Sequence, residues 1–211
     1  MSVMVTCDQQ QPDRQIVKQV VQVLEADGVA VVPTDSVYGL ICRASKDNPA
    51  HRRIFAIKER DLAQTLPLFL GSEKDLATYG REVSVWAHAL AQVFWPGALT
   101  LVVKAAAEWP REYVCQDTQT VAVRVSDSRL IQELVEEVGP LAQTSANLHG
   151  KPSPTSAAGL DPAVMQKADI VVDSGVVPLA QASTIVDCTG AKPKVLRQGA
   201  IDTAQIDRAL M

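Results

Sequence analysis

The chain has 211 residues, 47% of them hydrophobic and 21% charged, with a net charge of −4 and a pI near 5.4. That balance is long enough and apolar enough for a proper core, and it excludes a disordered or fibrous chain. A protein held mainly on a nucleic-acid backbone carries a basic excess, which this one lacks, and no run approaches the ~20 apolar residues of a membrane helix.

The opening MSVMVTCDQQQPDR has no apolar stretch long enough for a signal peptide, so the expectation is a cytoplasmic protein. Residues 13–28 read as a helix, with Ile16, Val17, Val20, Val21 and Leu24 on one stripe, Asp13 as N-cap and Gly28 as the stop. VAVVP at 29–33 is a short buried strand. A second helix runs over 49–58 with Ile54, Phe55 and Ile57 inward, followed by a strand at 66–70 and helices at 72–79 and 82–94. Trp95-Pro96-Gly97 stops the last of these. Strands follow at 99–103 and 121–125, a helix at 128–138 with Leu130, Leu134 and Val138 on one face, and a strand from Leu141 that opens into a loop over 147–155. DIVVD, STIVD and KVLRQG supply three closing strands. Alternation of this kind predicts an α/β or α+β domain on a mixed, twisted sheet. Aromatics are scarce at 4%, so the core rests on Val, Leu, Ile and Ala, and the four widely spaced cysteines read as buried thiols with no zinc or disulfide pattern.

Polar clusters fall where strands end, the edge at which open sheets hold ligands. Thr34-Asp35-Ser36 reads either as an Asx- or Ser-type turn or as a ligand-binding turn. Lys58 and Arg60 close a helix where cations suit the macrodipole, and a compact ammonium and a planar guanidinium there could also converge on one triphosphate. Arg124 inside VAVRV needs a partner: an internal salt bridge to Asp127 or Asp187, or a ligand carboxylate. TSANLHGKPSPT, from Thr144 to Thr155, can offer hydroxyls and backbone N–H groups to a phosphate or nucleotide, although Gly150-Lys151-Pro152 is not a Walker loop. His51, His88 and His149 form no Ser-His-Asp order and no H-E-x-x-H pattern.

Taken in order, PTDSVYGL, the K-x-R of Lys58 and Arg60, FWPGALTLVV, TVAVRVSD, TSANLHGKPSPT, STIVDCTG and VLRQGAI make the chain resemble the YrdC-like threonylcarbamoyl-AMP synthases, from about Asp13 to Ile201. The resemblance implies one domain over 1–211, the family's short form. It implies an α/β (α+β) fold in which a twisted, mixed, open sheet flanked by helices carries a large concave, positively lined site. The implied reaction is a nucleotidyl transfer that makes L-threonylcarbamoyladenylate and pyrophosphate from L-threonine, bicarbonate and ATP, with Mg²⁺ on the triphosphate. The product serves threonylcarbamoyl modification of the tRNA adenosine next to the anticodon. Carried over by position, Thr34, Arg124 and Thr184 hold the threonine. Lys58, Arg60, Thr120, Ser145, Asn147, Ser153 and Arg197 hold ATP, with Lys58 and Arg60 also catalytic and no protein side chain assigned to a metal. Implied partners are these small substrates and the tRNA-modification proteins that use the adenylate, with tRNA bound at most weakly and no membrane contact.

The chain departs from the family pattern at 61–66, where Asp-Leu-Ala-Gln-Thr-Leu replaces a run beginning with proline, and at His149, where Ser is common. The YciO-like branch lacks both the K-x-R and the SAN segment, so their presence favours the synthase. The alternative from another class is a nucleotide- or RNA-binding module of the same fold without this activity. Its support is the basic stretch 43–60; the acidic total and the lack of stacking aromatics oppose it.

Overall fold

The computed structural model describes residues 2–62 and 64–211. Ala63, inside the stretch that departs from the family pattern, lies outside the described residues, as does Met1. In chain order the elements are β1 (Val3–Thr6), α1 (Arg14–Glu25), β2 (Ala30–Val32), β3 (Gly39–Arg43), α2 (Pro49–Lys58), β4 (Leu68–Phe69), α3 (Asp75–Tyr79) and α4 (Val85–Phe94). They continue with β5 (Leu99–Lys104), β6 (Thr120–Arg124), α5 (Arg129–Val138), β7 (Leu141–Ser145), α6 (Pro162–Lys167), β8 (Ile170–Asp173), β9 (Thr184–Asp187), β10 (Lys194–Arg197) and α7 (Thr203–Ala209).

Several ends follow from local chemistry. Asp13 caps α1 by accepting from the Gln15 N–H at 2.7 Å. Asn48 caps α2 in the same way, with Pro49 at the first helical position where its missing N–H costs nothing. The sequence pattern placed the start of the fourth helix at Glu82; it begins at Val85 because the Ser84 hydroxyl accepts from the Ala87 N–H. Likewise the helix expected over 72–79 starts only at Asp75, and the strand expected over 66–70 pairs only at Leu68–Phe69. β1, β3, α6 and α7 were not anticipated.

The ten strands form one mixed sheet in the order β1-β8-β2-β3-β7-β4-β6-β5-β9-β10. Four pairs are parallel (β1 with β8, β8 with β2, β4 with β6, β5 with β9) and the other five are antiparallel. Because side chains alternate along a strand, each face has its own core. On one face Leu40 and Cys42 of β3, Leu99, Leu101 and Val103 of β5 and Val121 and Val123 of β6 pack with Ile54, Phe55 and Ile57 of α2, Leu90 of α4, Val164 of α6 and Ile206 of α7. On the other, Ala30 and Val32 of β2, Ile41 of β3, Phe69 of β4 and Ile170 and Val172 of β8 pack under Val17, Val20 and Leu24 of α1 and Leu130, Ile131 and Leu134 of α5. This second cluster covers only the β1-to-β4 side of its face. The alternate residues of β6, β5 and β9, namely Ala122 and Arg124, Thr100 and Val102, and Ile185, belong to neither cluster. They face the opening that α1 and α5 leave.

All four cysteines are free, and Cys7, Cys42 and Cys188 are buried while Cys115 is half-buried, so the expectation of buried thiols holds for three. Among the described residues no helix is long and apolar enough to cross a membrane.

Candidate functional site

The uncovered half of the sheet floors a cavity of about 340 Å³, within the usual range for small-molecule sites. Thr100 and Val102 of β5, Ala122 and Arg124 of β6, Ile185 of β9 and Leu196 and Arg197 of β10 line it, with the 34–39 turn, Arg60, Ser145 and Ser153 around the rim. Arg60, Arg124 and Arg197 all line this space, and among the described residues no carboxylate does. A larger opening of about 660 Å³ lies beside Tyr79 and Trp109, but it is mostly apolar and holds none of the predicted residues.

Arg60 reaches the cavity through the way α2 ends. Glu59 adopts a left-handed conformation (φ 52°) and closes the helix, which turns the chain back so that the Arg60 N–H bonds the Phe55 carbonyl at 3.0 Å. The Arg60 guanidinium then lies 5.7 Å from the Phe55 ring centroid and its Nε donates to Gln64 Oε1. Lys58, the last helical residue, behaves differently from expectation. It is 4% exposed rather than lying at an open helix end, and it is not among the cavity's lining residues. Its Nζ donates to the carbonyls of Ser145 (2.6 Å) and Asn147 (2.8 Å) and to Asn147 Oδ1 (3.1 Å), which uses all three of its N–H groups. Burial, and then the neighbouring charge of Arg60, pushes its pKa down to about 8.

Arg124 has a protein partner, as an arginine in an apolar strand must, but neither Asp127 nor Asp187 supplies it. Nη2 bonds Asp35 Oδ2 at 2.6 Å, Nη1 bonds Ser36 Oγ at 2.9 Å and Nε bonds the Gly97 carbonyl at 2.9 Å. The salt-bridge reading and the site reading therefore hold together, since Arg124 also lines the cavity. Thr34 lines it too, though its hydroxyl is occupied by the turn: it donates to the Val37 carbonyl at 2.7 Å and accepts from the Ser36 and Val37 N–H groups. Arg197 donates to the Ser183 carbonyl at 2.9 Å; burial, and then the charge of Arg124, lowers its pKa.

Besides Lys58, three predicted residues are not in the lining. Thr184 is fully buried on the opposite face, on the side of Val186, where its hydroxyl donates to the Ile201 carbonyl and accepts from Gly199 N at 2.9 Å and Ile201 N at 3.1 Å. The pleat brings its neighbour Ser183 to the cavity instead, 2.9 Å from Thr100 Oγ1. Alternation along STIVD was the signal that could have separated the two. Thr120 lies at the far end of β6, bonded to Thr118 at 2.7 Å. Asn147 sits behind the rim, binding Lys58 and the Lys151 carbonyl. Thr100 is a cavity residue that the sequence pattern does not mark, while Ser36 enters the lining with the turn that it does mark.

Among the described residues no group of three or more His, Cys, Asp or Glu side chains is placed to hold a metal ion. The basic stretch 43–60 is partly neutralised, since Arg43 pairs with Asp27 and Arg53 with Asp169 at 2.9 Å.

A family model of Sua5, YciO and YrdC proteins, described as "Telomere recombination", matches residues 22–199. The chain is 35% identical over 179 residues to the threonylcarbamoyl-AMP synthase of Pyrococcus abyssi, covering 84% of this chain and 52% of that one. It is 33% identical over 195 residues to the threonylcarbamoyl-AMP synthase of Bacillus subtilis, covering 92% and 56%. The chain thus spans about half the length of these curated relatives. The crystal structure of P. abyssi Sua5 complexed with L-threonine superposes with a TM-score of 0.90 at 30% identity, over 99% of this chain and 61% of that one.

Proposed function

Because the chain belongs to the Sua5, YciO and YrdC family, we propose that it joins L-threonine, bicarbonate and ATP into threonylcarbamoyladenylate, releasing pyrophosphate. The observation that carries this reading is the convergence of Arg60, Arg124 and Arg197 on one cavity without a lining carboxylate. Such a site suits substrates that are anions at both ends.

The threonine amine first attacks the carbon of bicarbonate; the N–C bond forms, a C–O bond breaks and water leaves, which gives a carbamate. A carbamate oxygen then attacks the α-phosphorus of ATP, and the bond from that phosphorus to the α–β bridging oxygen breaks, so that pyrophosphate leaves with the electron pair. Both reactants are anionic, and fixed cations lower the cost of bringing them together and of the charge passing to pyrophosphate. Arg60 and Arg197 serve the phosphates, and Arg124 the amino-acid carboxylate. Lys58 acts one step removed: by holding the carbonyls of Ser145 and Asn147 it sets the turn that presents the Ser145 hydroxyl at the rim. Ser183, just before β9, lines the cavity where Thr184 does not, and we assign its hydroxyl to the amino acid. Mg²⁺ arrives on the triphosphate as part of the substrate and supplies charge neutralisation there. Among the described residues that line the cavity none is an activated nucleophile, so positioning and electrostatics carry the rate.

The finer assignment is a nucleotidyltransferase of the cytoplasm whose adenylate is used by tRNA-modification proteins, with bare tRNA bound weakly and lost steeply on adding salt. The test is pyrophosphate release from Mg²⁺–ATP with each component withheld in turn. Release should require threonine and bicarbonate together. Equal release without threonine, or with any small amino acid, removes the proposed specificity, and no release under any condition favours a binding module.

A further inference from the structure

Asp35 is a buried acid just behind the lining of the basic cavity, between the lining residues Thr34 and Ser36, and the proposed reaction gives it no task. Its carboxylate is held from two sides: Oδ2 accepts from Arg124 Nη2 at 2.6 Å and Oδ1 accepts from the Ser126 hydroxyl. Its backbone carbonyl accepts the Leu179 N–H at 3.1 Å, which fixes the turn itself. The ion pair is nearly dry, with side-chain exposures of 3% for Arg124 and 5% for Asp35, and the Phe69 ring centroid lies 5.7 Å from the guanidinium carbon.

A guanidinium has five N–H groups. Among the described residues Gly97, Ser36 and Asp35 take one each, leaving one N–H on Nη1 and one on Nη2 at the residue that lines the cavity. We propose that Asp35 is the positioning residue of the amino-acid subsite: it locks the Arg124 plane so that these two N–H groups form a fixed fork for the carboxylate of the amino-acid substrate. This rests on the reading that the amino acid binds at Arg124. The paired charges of Asp35 and Arg124 sum to zero, so the subsite attracts a carboxylate by aligned hydrogen bonds more than by net charge. Longer-range attraction falls to Arg60 and Arg197. Ser126 completes the device by fixing the second carboxylate oxygen.

Charge and alignment make opposite forecasts for Asp35→Asn. The variant keeps the shape and one acceptor oxygen but leaves the Arg124 charge uncompensated. If net charge governed binding, threonine would bind more tightly; if alignment governs, it binds more weakly. Titration calorimetry with L-threonine and, separately, Mg²⁺–ATP on the wild-type chain, Asp35→Asn and Ser126→Ala decides between them. Loss of the charge-assisted bond should weaken threonine about tenfold in Asp35→Asn, and loss of the Ser126 donor should weaken it roughly threefold. ATP affinity should stay within about twofold in both, because the phosphate cations are untouched. Unchanged or tighter threonine binding in Asp35→Asn overturns the proposal, as does an equal loss of ATP affinity. Should Asp35→Asn fail to fold, Ser126→Ala decides alone, and undiminished threonine binding there is the contrary result. A wild-type chain that binds ATP but no threonine instead overturns the placement of the amino acid at Arg124.

Discussion

Lys58 illustrates how one residue can be correctly singled out and wrongly placed. Its spacing from Arg60 across a helix end suggested two exposed cations on one phosphate, yet the ammonium is buried against three oxygens. Nothing in the local sequence says that the loop after β7 folds back over the end of α2. The pKa gives this residue a signature. Its ordinary value is 10.5 and the folded value is about 8, so between those pH values the unfolded chain binds the proton and the folded one does not. On this account the group's contribution to stability rises as pH climbs through that window, and below it the buried charge is a cost. Turnover moves the other way, because a neutral amine has two N–H groups for three acceptors and one carbonyl loses its partner. NMR titration of the lysine ε-methylenes should show one lysine with a midpoint about 8, and turnover should fall with the same midpoint. All lysines titrating at their ordinary value, with turnover flat through that range, would contradict the assignment. Ser183 and Thr184 make a second pair of forecasts. Ser183→Ala should raise the KM for the amino acid about tenfold with little change in thermal midpoint. Thr184→Ala should instead destabilise by roughly 1–3 kcal/mol, since it strips a hydroxyl from three buried backbone groups. The reverse pattern, measured by kinetics and thermal melts, would return Thr184 to the site.

Elements with a broad apolar stripe were legible. Helices α1 and α5 bury the residues that the 3.6-residue period selects, and the runs VAVVP, LTLVV and VAVRV became β2, β5 and β6. Short elements were missed where apolar content is low, although two carried readable caps. Asp161 accepts from Ala163 N with Pro162 at the first position of α6, and Asp202 with Gln205 forms a capping box on α7. β3 was hidden because PTDSVYGL reads as one polar turn while its last residues already belong to a strand. β1 is an edge strand with little burial, so its pattern had no periodicity to show. The turn after β10 offers a test at this scale. A Cβ on Gly199 would lie 2.1 Å from the Ala182 carbonyl oxygen and 2.5 Å from the Ser183 backbone. Gly199→Ala must therefore push the turn off the β9 end, costing about 1–3 kcal/mol of stability and displacing Ser183 from the cavity. Thermal unfolding and amino-acid KM should both worsen; a variant with wild-type melting would show that the turn is not packed as described.

At the scale of the whole molecule, the alternation of elements foretold the class of fold and the family resemblance implied a basic concavity, but neither said which face would stay open. That depends on α1 and α5 covering only the β1-to-β4 side of their face, a matter of helix lengths and packing that no single segment encodes. The same packing explains an acidic protein with a basic site. Arg43 and Arg53 meet carboxylates outside the cavity, while Arg60 and Arg197 line it, and among the described residues no acid lines it with them. Among the described residues Asp35 is the acid that is buried, and it is spent on Arg124. The proposed reaction makes one product from three substrates. Incubation with Mg²⁺–ATP, L-threonine and ¹³C-bicarbonate, followed by mass spectrometry of the unquenched adenylate, tests it most directly. The expected result is a species containing AMP, threonine and one labelled carbon, formed in step with pyrophosphate and absent when Arg60 and Arg197 are both replaced by Ala. A threonyl-adenylate without the labelled carbon, or the same product from the doubly substituted chain, would contradict it.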